Sequence, residues 1–282
     1  VEMLNLARMK WSAYRFFWLY LMIIFIGLPI HAQFQGQEFV QNKGQWPSDV
    51  QLMAKDGAAK IWLGSDRFLF QLTDFSALEK AHHEQVLITN PSLPSALVQQ
   101  RFIGANPNAP TQGQKPRKHT YHFFMGQDST RWASQVEAFQ EVQYTQFYPG
   151  IDLTWATEQT QYKYTFHVAP GADAQQIRWA YSGATEIKLK KDRIQLKTAI
   201  GEIQDQQLFA YQMVNGQRVQ VACAYRFYPD GTYGFQLGNY NAQLPLIIDP
   251  VLVFATYNGA NSDNFGMTAT YGYDASAYAA GM

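Results

Sequence analysis

The sequence predicts an all-β protein, an antiparallel β-sandwich-like fold followed by a partial β-propeller blade. Three observations point there. Aromatic residues make up 15% of the 282 residues and charged residues only 16%, so the surface is built from amides, hydroxyls and rings, which suit strands better than helices. Apolar and polar residues alternate with period two in several stretches. Turn signals recur about every ten residues, the spacing of short strands in a sandwich or related architecture.

In chain order, Ala59–Leu63 and Arg67–Thr73 flank Gly64-Ser65-Asp66 as a hairpin, with Phe68, Phe70 and Leu72 facing inward. Between Leu93 and Gly113, Pro94, Pro107 and Pro110 mark loops around one strand, Ala96–Ile103. His119–Met125 is a further strand. Trp132, Val136 and Phe139 have helix-like spacing. Ile151–Ala156 and Gln161–Val168 are strands joined by Thr157–Thr160. In the second, Tyr162, Tyr164, Phe166 and Val168 form a buried face and Lys163, Thr165 and His167 a wet one. Gly171–Ile177 has room for one helical turn. Thr185–Lys190 and Arg193–Thr198 flank Lys191-Asp192. Phe209–Val214 and Gln217–Phe227 flank Asn215-Gly216, the strongest hairpin signal in the chain. The alternation places Val219, Val221, Cys223, Tyr225 and Phe227 on one strand face, where the lone cysteine is a small buried hydrophobe. Pro229-Asp230-Gly231 turns into Thr232–Leu237, and Leu244–Pro250 is the last strand of the domain.

The N-terminus has the order of an export signal. Arg8, Lys10 and Arg15 precede an uncharged apolar run, Phe16 to Ile30, that ends at His31-Ala32 before Gln33. Fifteen residues span roughly 22 Å as a helix, short of the ~30 Å hydrocarbon core. Gly27 and Pro29 break it just before the expected cut between Ala32 and Gln33. A retained membrane anchor is the alternative. Met9 is a more natural start than Val1. Cleavage removes Glu2 against Arg8, Lys10 and Arg15 and leaves a mature net charge of −2, from 21 acids and 19 Lys and Arg. Such a chain lacks the positive field that non-specific nucleic-acid binding requires. A single Cys excludes a disulfide framework and a Cys-based zinc cluster.

No nucleophile-elbow, zincin, P-loop or dinucleotide-binding motif occurs. His82-His83-Glu84 is a cluster suited to metal only from a loop, and the expectation is a solvated loop. His119 and His122 fall on opposite strand faces. Asp128, Glu137, Glu141, Asp152 and Glu158 are the acids to consider for a glycosidase pair, which needs two carboxylates across a cleft. Trp46, Trp62, Trp132, Trp155 and Trp179 have rings able to stack on sugars, with core packing the expected use of each. Trp46, Trp155 and Asp152 are kept as binding candidates. Asn258, Asn261, Asp263 and Asn264 resemble a loose calcium loop, with a plain turn as the expectation. No catalytic residue, metal or cofactor is assigned.

Several stretches together resemble a family. They are FVQNKGQWP (Phe39–Pro47), RFIGAN (Arg101–Asn106), Tyr121–Trp155 with its YPGIDLTW ending, YKYTFHVAPGADAQQI (Tyr162–Ile177) and LPLIIDPVLVFATYNGA (Leu244–Ala260). Their order is similar to that of an uncharacterised N-terminal domain of large secreted bacterial proteins, which precedes SBBP-type β-propeller repeats and a type IX secretion sorting domain. The resemblance covers about Phe39 to Pro250. The tail resembles the opening of one such repeat in Thr256-Tyr257-Asn258-Gly259, Asp263 and Asp274 to Gly281. It departs from the pattern at Ala260 and at Ser276-Ala277.

The resemblance implies location and architecture, and it implies no reaction. The expected organisation is a signal peptide over 1–32, an all-β domain over 33–250 with a possible sub-domain boundary near 115–130, and an incomplete repeat over 251–282. In the tail, Val251–Tyr257 continues the last strand, and the natural protein extends beyond Met282. The expected function is a non-catalytic module of an exported surface or secreted protein. Its partners are an extracellular glycan or protein and the downstream repeats, with no nucleic acid, and with membrane contact only through an uncleaved signal. Periplasmic residence follows if no sorting domain is present. A secreted hydrolase acting on glycans is the alternative. Intact-mass analysis of protein from the medium or envelope should find an N-terminus at or near Gln33. Recovery of the uncut chain in the inner membrane would establish the anchor instead.

Overall fold

The computed structural model describes residues 37–83, 93–124, 128–158, 161–190, 192–256, 266–271 and 277–281. The export segment, with Ala32 and Gln33, and the Asn258–Asn264 loop lie outside them.

The chain is nearly all β and antiparallel, as its alternation predicts. The strands are β1 (Phe39–Gln41), β2 (Leu52–Asp56), β3 (Ala59–Leu63) and β4 (Arg67–Thr73), then helix α1 (Ser76–His83). β5 (Ser95–Phe102), β6 (Thr111–Phe123), β7 (Ala133–Tyr148), β8 (Ile151–Glu158) and β9 (Gln161–Val168) follow. Next come β10 (Arg178–Ser182), β11 (Glu186–Lys190), β12 (Arg193–Lys197) and β13 (Gly201–Val214). β14 (Gln217–Val221), β15 (Cys223–Phe227), β16 (Tyr233–Leu237) and β17 (Leu246–Thr256) complete the main sheet. Among the described residues, β18 (Gly266–Tyr271) and β19 (Ala277–Gly281) pair with each other as a separate two-stranded sheet.

The first seventeen strands belong to one sheet, and their pairings form a circuit. One arm runs β7–β8–β9–β17–β13. The other runs β7–β1–β2–β3–β4–β5–β10–β16–β15. β14 and β15 are separated by Ala222 alone, and β14 pairs with β13, so the arms meet and the sheet is nearly barrel-shaped. β6 adds to the other edge of β7, and β12 with β11 adds to β13. Closure of this kind leaves few unpaired backbone edges.

The interior is aromatic. Phe68 packs edge-on to Phe102 and to Trp155, each at 5.1 Å between ring centres. Trp179 meets Phe235 at 5.1 Å, and Phe102 touches both Phe166 and Trp179. Rings from both arms therefore share one core. Each such side chain stabilises the fold by roughly 1.5–3 kcal/mol on burial. Phe68, Phe70 and Leu72 face inward as expected, as do Tyr162, Tyr164, Phe166 and Val168. A smaller cluster of Val40, Ala133, Val136 and Ala138 sits beside it.

Local geometry departs from the alternation in four places. The helix-like spacing of Trp132, Val136 and Phe139 belongs to strand β7. Gln135 adopts φ 52° there and bulges, so the buried residues Ala133 and Val136 are three apart, as on a helix. α1 forms where a solvated loop is expected. Ala, Leu, Glu and Lys favour it, and Asp74 Oδ1 accepts the Ser76 N–H at 2.9 Å at its start. His82 and His83 therefore end a helix, while Glu84 lies outside the described residues. At Ala222 the chain passes from β13 to β16 as partner, and the expected single face Val219–Phe227 is buried only in its middle, with Cys223 half-buried where a buried residue is expected. Val221 and Tyr225 are buried, while Val219 and Phe227 are exposed. The last strand runs through Pro250 as far as Thr256, paired to Gly201 of β13.

Other signals hold. Asn215 and Gly216 take φ 52° and 78°, the left-handed pair of a type I′ turn. Ala174–Gln176 makes the short helical turn, capped by Asp173.

Gly183 follows β10 at the β5–β10 seam with φ +87°, and an added methyl would sit 2.1 Å from the Leu97 carbonyl oxygen. Gly183→Ala should therefore cost about 3 kcal/mol or more. Gly216→Ala, with φ +78° but open space around it, should cost only about 1 kcal/mol. Urea denaturation of both variants measures the difference. Equal and small losses would mean that β5 and β10 are not packed this closely.

Candidate functional site

The acids considered for hydrolysis are engaged locally. Asp128 Oδ1 accepts from the Thr130 amide at 3.0 Å and from its hydroxyl at 2.6 Å, capping the turn Ser129–Arg131. These hydrogen bonds hold its carboxyl below the usual range. Asp152 Oδ1 accepts from the Gln146 amide at 2.7 Å and so supports the bulge at that residue, whose φ is 53°. Glu141 pairs with Lys115 at 2.6 Å, and Glu158 with Lys163 at 2.5 Å. Glu137 is exposed.

The three binding candidates do not share a site. Trp155 is wholly buried in the main core, between Phe68 and Tyr164, and presents no ring face to solvent. Trp46 is half-buried on the smaller cluster, edge-on to Trp62 and Phe123. Asp152 is on β8 at the Gln146 bulge. Of the other tryptophans, Trp179 is core, and Trp62 donates its indole N–H to Gln71 at 3.0 Å.

A different set of rings does face outward together. Along β6 and just beyond it, Tyr121 and Phe123 turn toward the smaller cluster, so Thr120, His122 and Phe124 turn to solvent. The His122 and Phe124 rings stack at 6.1 Å with 20° between planes. Trp132 stands edge-on to Phe124 at 5.8 Å. Phe124 is 61% and Trp132 46% exposed. The Asp128-capped turn sets the position of Trp132, whose N–H donates to Ser129 O at 3.1 Å. Exposed, contiguous rings of this kind mark contact surfaces more often than isolated ones do. Phe124 and His122 were legible in HTYHFFM, since two adjacent Phe residues on a strand cannot both face inward.

Two buried carboxylates, Glu38 and Asp205, carry no signal in the sequence. Glu38, just before β1, is 9% exposed. It accepts from the Tyr121 hydroxyl, lies 3.1 Å from His119 Nε2 and is 3.5 Å from Arg117 Nε. Burial and the Glu38 carboxylate together push the Tyr121 phenol well above its ordinary value. Asp205, on β13, is 1% exposed and lies in the core. Its Oδ1 accepts from Tyr225 at 2.7 Å, and its Oδ2 accepts from Tyr164 and, at 3.5 Å, from Tyr181. Burial pushes its carboxyl up to about 6, against the opposing effect of the three phenol donors. Ile203 and Asp205 share a strand face, but a single apolar residue is too little alternation to mark that face in the sequence. Among the described residues no three His, Cys, Asp or Glu side chains gather as metal ligands.

Asp205 gives a signed pH dependence. Below about pH 4 its carboxyl is protonated in both states. Between pH 4 and 6 the unfolded chain ionises first, so stability falls as pH rises, and above about 6 the loss is complete. The loss is of order 3 kcal/mol. The stability difference between wild type and Asp205→Asn, from denaturant melts, should drop across that window and level off above it. A difference that stays flat from pH 4 to 7 would contradict the raised value.

Residues 39–251 match the family model described as Domain of unknown function (DUF7948). No curated protein and no solved structure matches the chain.

Proposed function

We propose that this chain, which belongs to the DUF7948 family, is a non-catalytic N-terminal module of an exported cell-surface or secreted protein. It binds an extracellular glycan or protein through the rings of His122, Phe124 and Trp132. The observation that carries the reading is that exposed aromatic face, held out on the β6–β7 hairpin by a capped turn. Stacked rings offer a large rigid contact area at low entropic cost, the property that makes such residues binding hot spots. The basic and apolar N-terminal run supports export. The pairing of β18 with β19 supports the reading of the tail as the opening of an SBBP-type propeller repeat. Secretion by a type IX route rests on the family resemblance.

The glycan-hydrolase alternative draws less support. Asp128 and Asp152 each accept a backbone N–H in a turn or bulge, which ties them to local structure.

Glycan and matrix-protein arrays probed with the purified protein should yield a ligand whose affinity falls tenfold or more in Phe124→Ala and in Trp132→Ala. Both variants should melt within about 1 kcal/mol of wild type, because both side chains are largely exposed. Binding unchanged in the double variant would remove the aromatic face from the function. Glycoside turnover abolished by Asp128→Asn or Asp152→Asn would replace the binding reading with hydrolysis.

A further inference from the structure

β1 is three residues long, yet it joins β2 to β7. Phe39 pairs with Ala54 on one edge and with Phe139 on the other, Val40 pairs with Met53 and Ala138, and Gln41 pairs with Leu52. A strand with so few ladder partners holds its place weakly by backbone alone. Side-chain seats on other elements supply the rest.

Gln37 donates to Asp56 Oδ1 at 2.9 Å, and its carbonyl accepts from Arg117 Nη2 at 2.9 Å. Glu38 is received by Tyr121, His119 and Arg117, all on β6. The register shift between Pro116 and Thr120, beside Lys115 at φ 54°, shapes that stretch of β6. Phe39 enters the main core edge-on to Tyr162 at 5.3 Å and Trp155 at 6.4 Å. Val40 enters the smaller cluster with Val136 and Ala138. Gln41 O accepts from Gln45 Nε2 at 2.6 Å. The order along the slot is thus a carboxylate receiver, an aromatic pit and an aliphatic pit, with main-chain partners on both sides.

We propose that the facing edges of β2 and β7, with the Arg117–His119–Tyr121 clamp, form a strand-accepting site. Its ligand is an extended peptide carrying an acidic, an aromatic and a β-branched residue in succession. Residues 37–41 fill the site in cis, and the same segment supplied in trans can replace them. The chemistry is that of strand addition, in which main-chain hydrogen bonds provide affinity and alternating pockets provide specificity. The tethered strand has the advantage of a high effective concentration, so a free peptide competes only when the cis contacts are weakened.

The test uses the full chain and a fluorescent synthetic peptide of residues 36–43, GQEFVQNK. Fluorescence anisotropy should show no saturable binding to wild type at micromolar peptide. Phe39→Ala should bind it at least tenfold more tightly than wild type does. Peptides with Ala in place of Phe39 or Glu38 should bind that variant at least tenfold more weakly than the parent peptide. A folded Phe39→Ala protein that ignores the peptide would overturn the proposal. Should that variant fail to fold, hydrogen exchange of the wild type decides. The amides of Phe39 and Val40 should exchange at least tenfold faster than those of β8 and β9, because the strand leaves without global unfolding. Equal rates would mean that β1 opens only when everything does, and would overturn the proposal.

Discussion

Closing the sheet is the constraint on which the rest of this molecule depends. A ring of many strands encloses a wide interior, because barrel diameter grows with strand number. That interior must be filled at crystal-like density. Leu and Val do not reach far enough, whereas rings do. Buried Phe, Tyr and Trp side chains are the material of that filling, and Phe68, Phe102, Trp155, Phe166 and Trp179 meet near its centre. Filling with tyrosine has a chemical consequence. Each buried hydroxyl needs an acceptor. Tyr144 finds the Gly64 carbonyl, Tyr148 the Arg178 carbonyl and Tyr162 the Lys55 carbonyl. Tyr164, Tyr181 and Tyr225 converge on Asp205. A buried acid at this position follows from the way the ring is filled, and its raised pKa follows from its burial.

Bulges adapt long strands to the ring. Positive φ at Gln135, Gln146 and Gln207 accompanies register shifts or changes of buried face in β7 and β13. β7 serves β6 along one edge and both β1 and β8 along the other. The same β6–β7 hairpin carries the outward rings of His122, Phe124 and Trp132 on one side and the Glu38 clamp on another. Structural closure and the proposed binding surface therefore share one hairpin.

The strand content was legible where one face is buried and the strand is regular. Tyr162 to Val168 and Arg67 to Thr73 alternate cleanly, and Asn215-Gly216 marked its turn correctly. The alternation failed where bulges changed the period. At Gln135 the shift imitated a helix, and at Ala222 a strand that looked continuous changes partners. α1 was not legible although its residues favour helix, because eight residues ending in His82-His83 are too short for a helical period to stand out. The N-terminal part of β13, with Asp205, had no hydrophobic run to announce it. Trp155 and Trp132 show the limit for the site. Both are aromatic residues in similar sequence surroundings, and only the packed structure separates the buried ring from the exposed one. Glu38 was unreadable for a related reason, since its partners are about 80 residues away in β6.

Closure of the ring is tested most directly by backbone NOEs across its two critical seams in one solution sample. Cross-strand contacts should link Phe39 with Phe139 and Val40 with Ala138 at the first seam, and Phe102 with Trp179 and Gln100 with Tyr181 at the second. Both sets, present together at full intensity, are the predicted result. Loss of either set while β8–β9 contacts such as Leu153 with Phe166 persist would show an open sheet and contradict the closed ring.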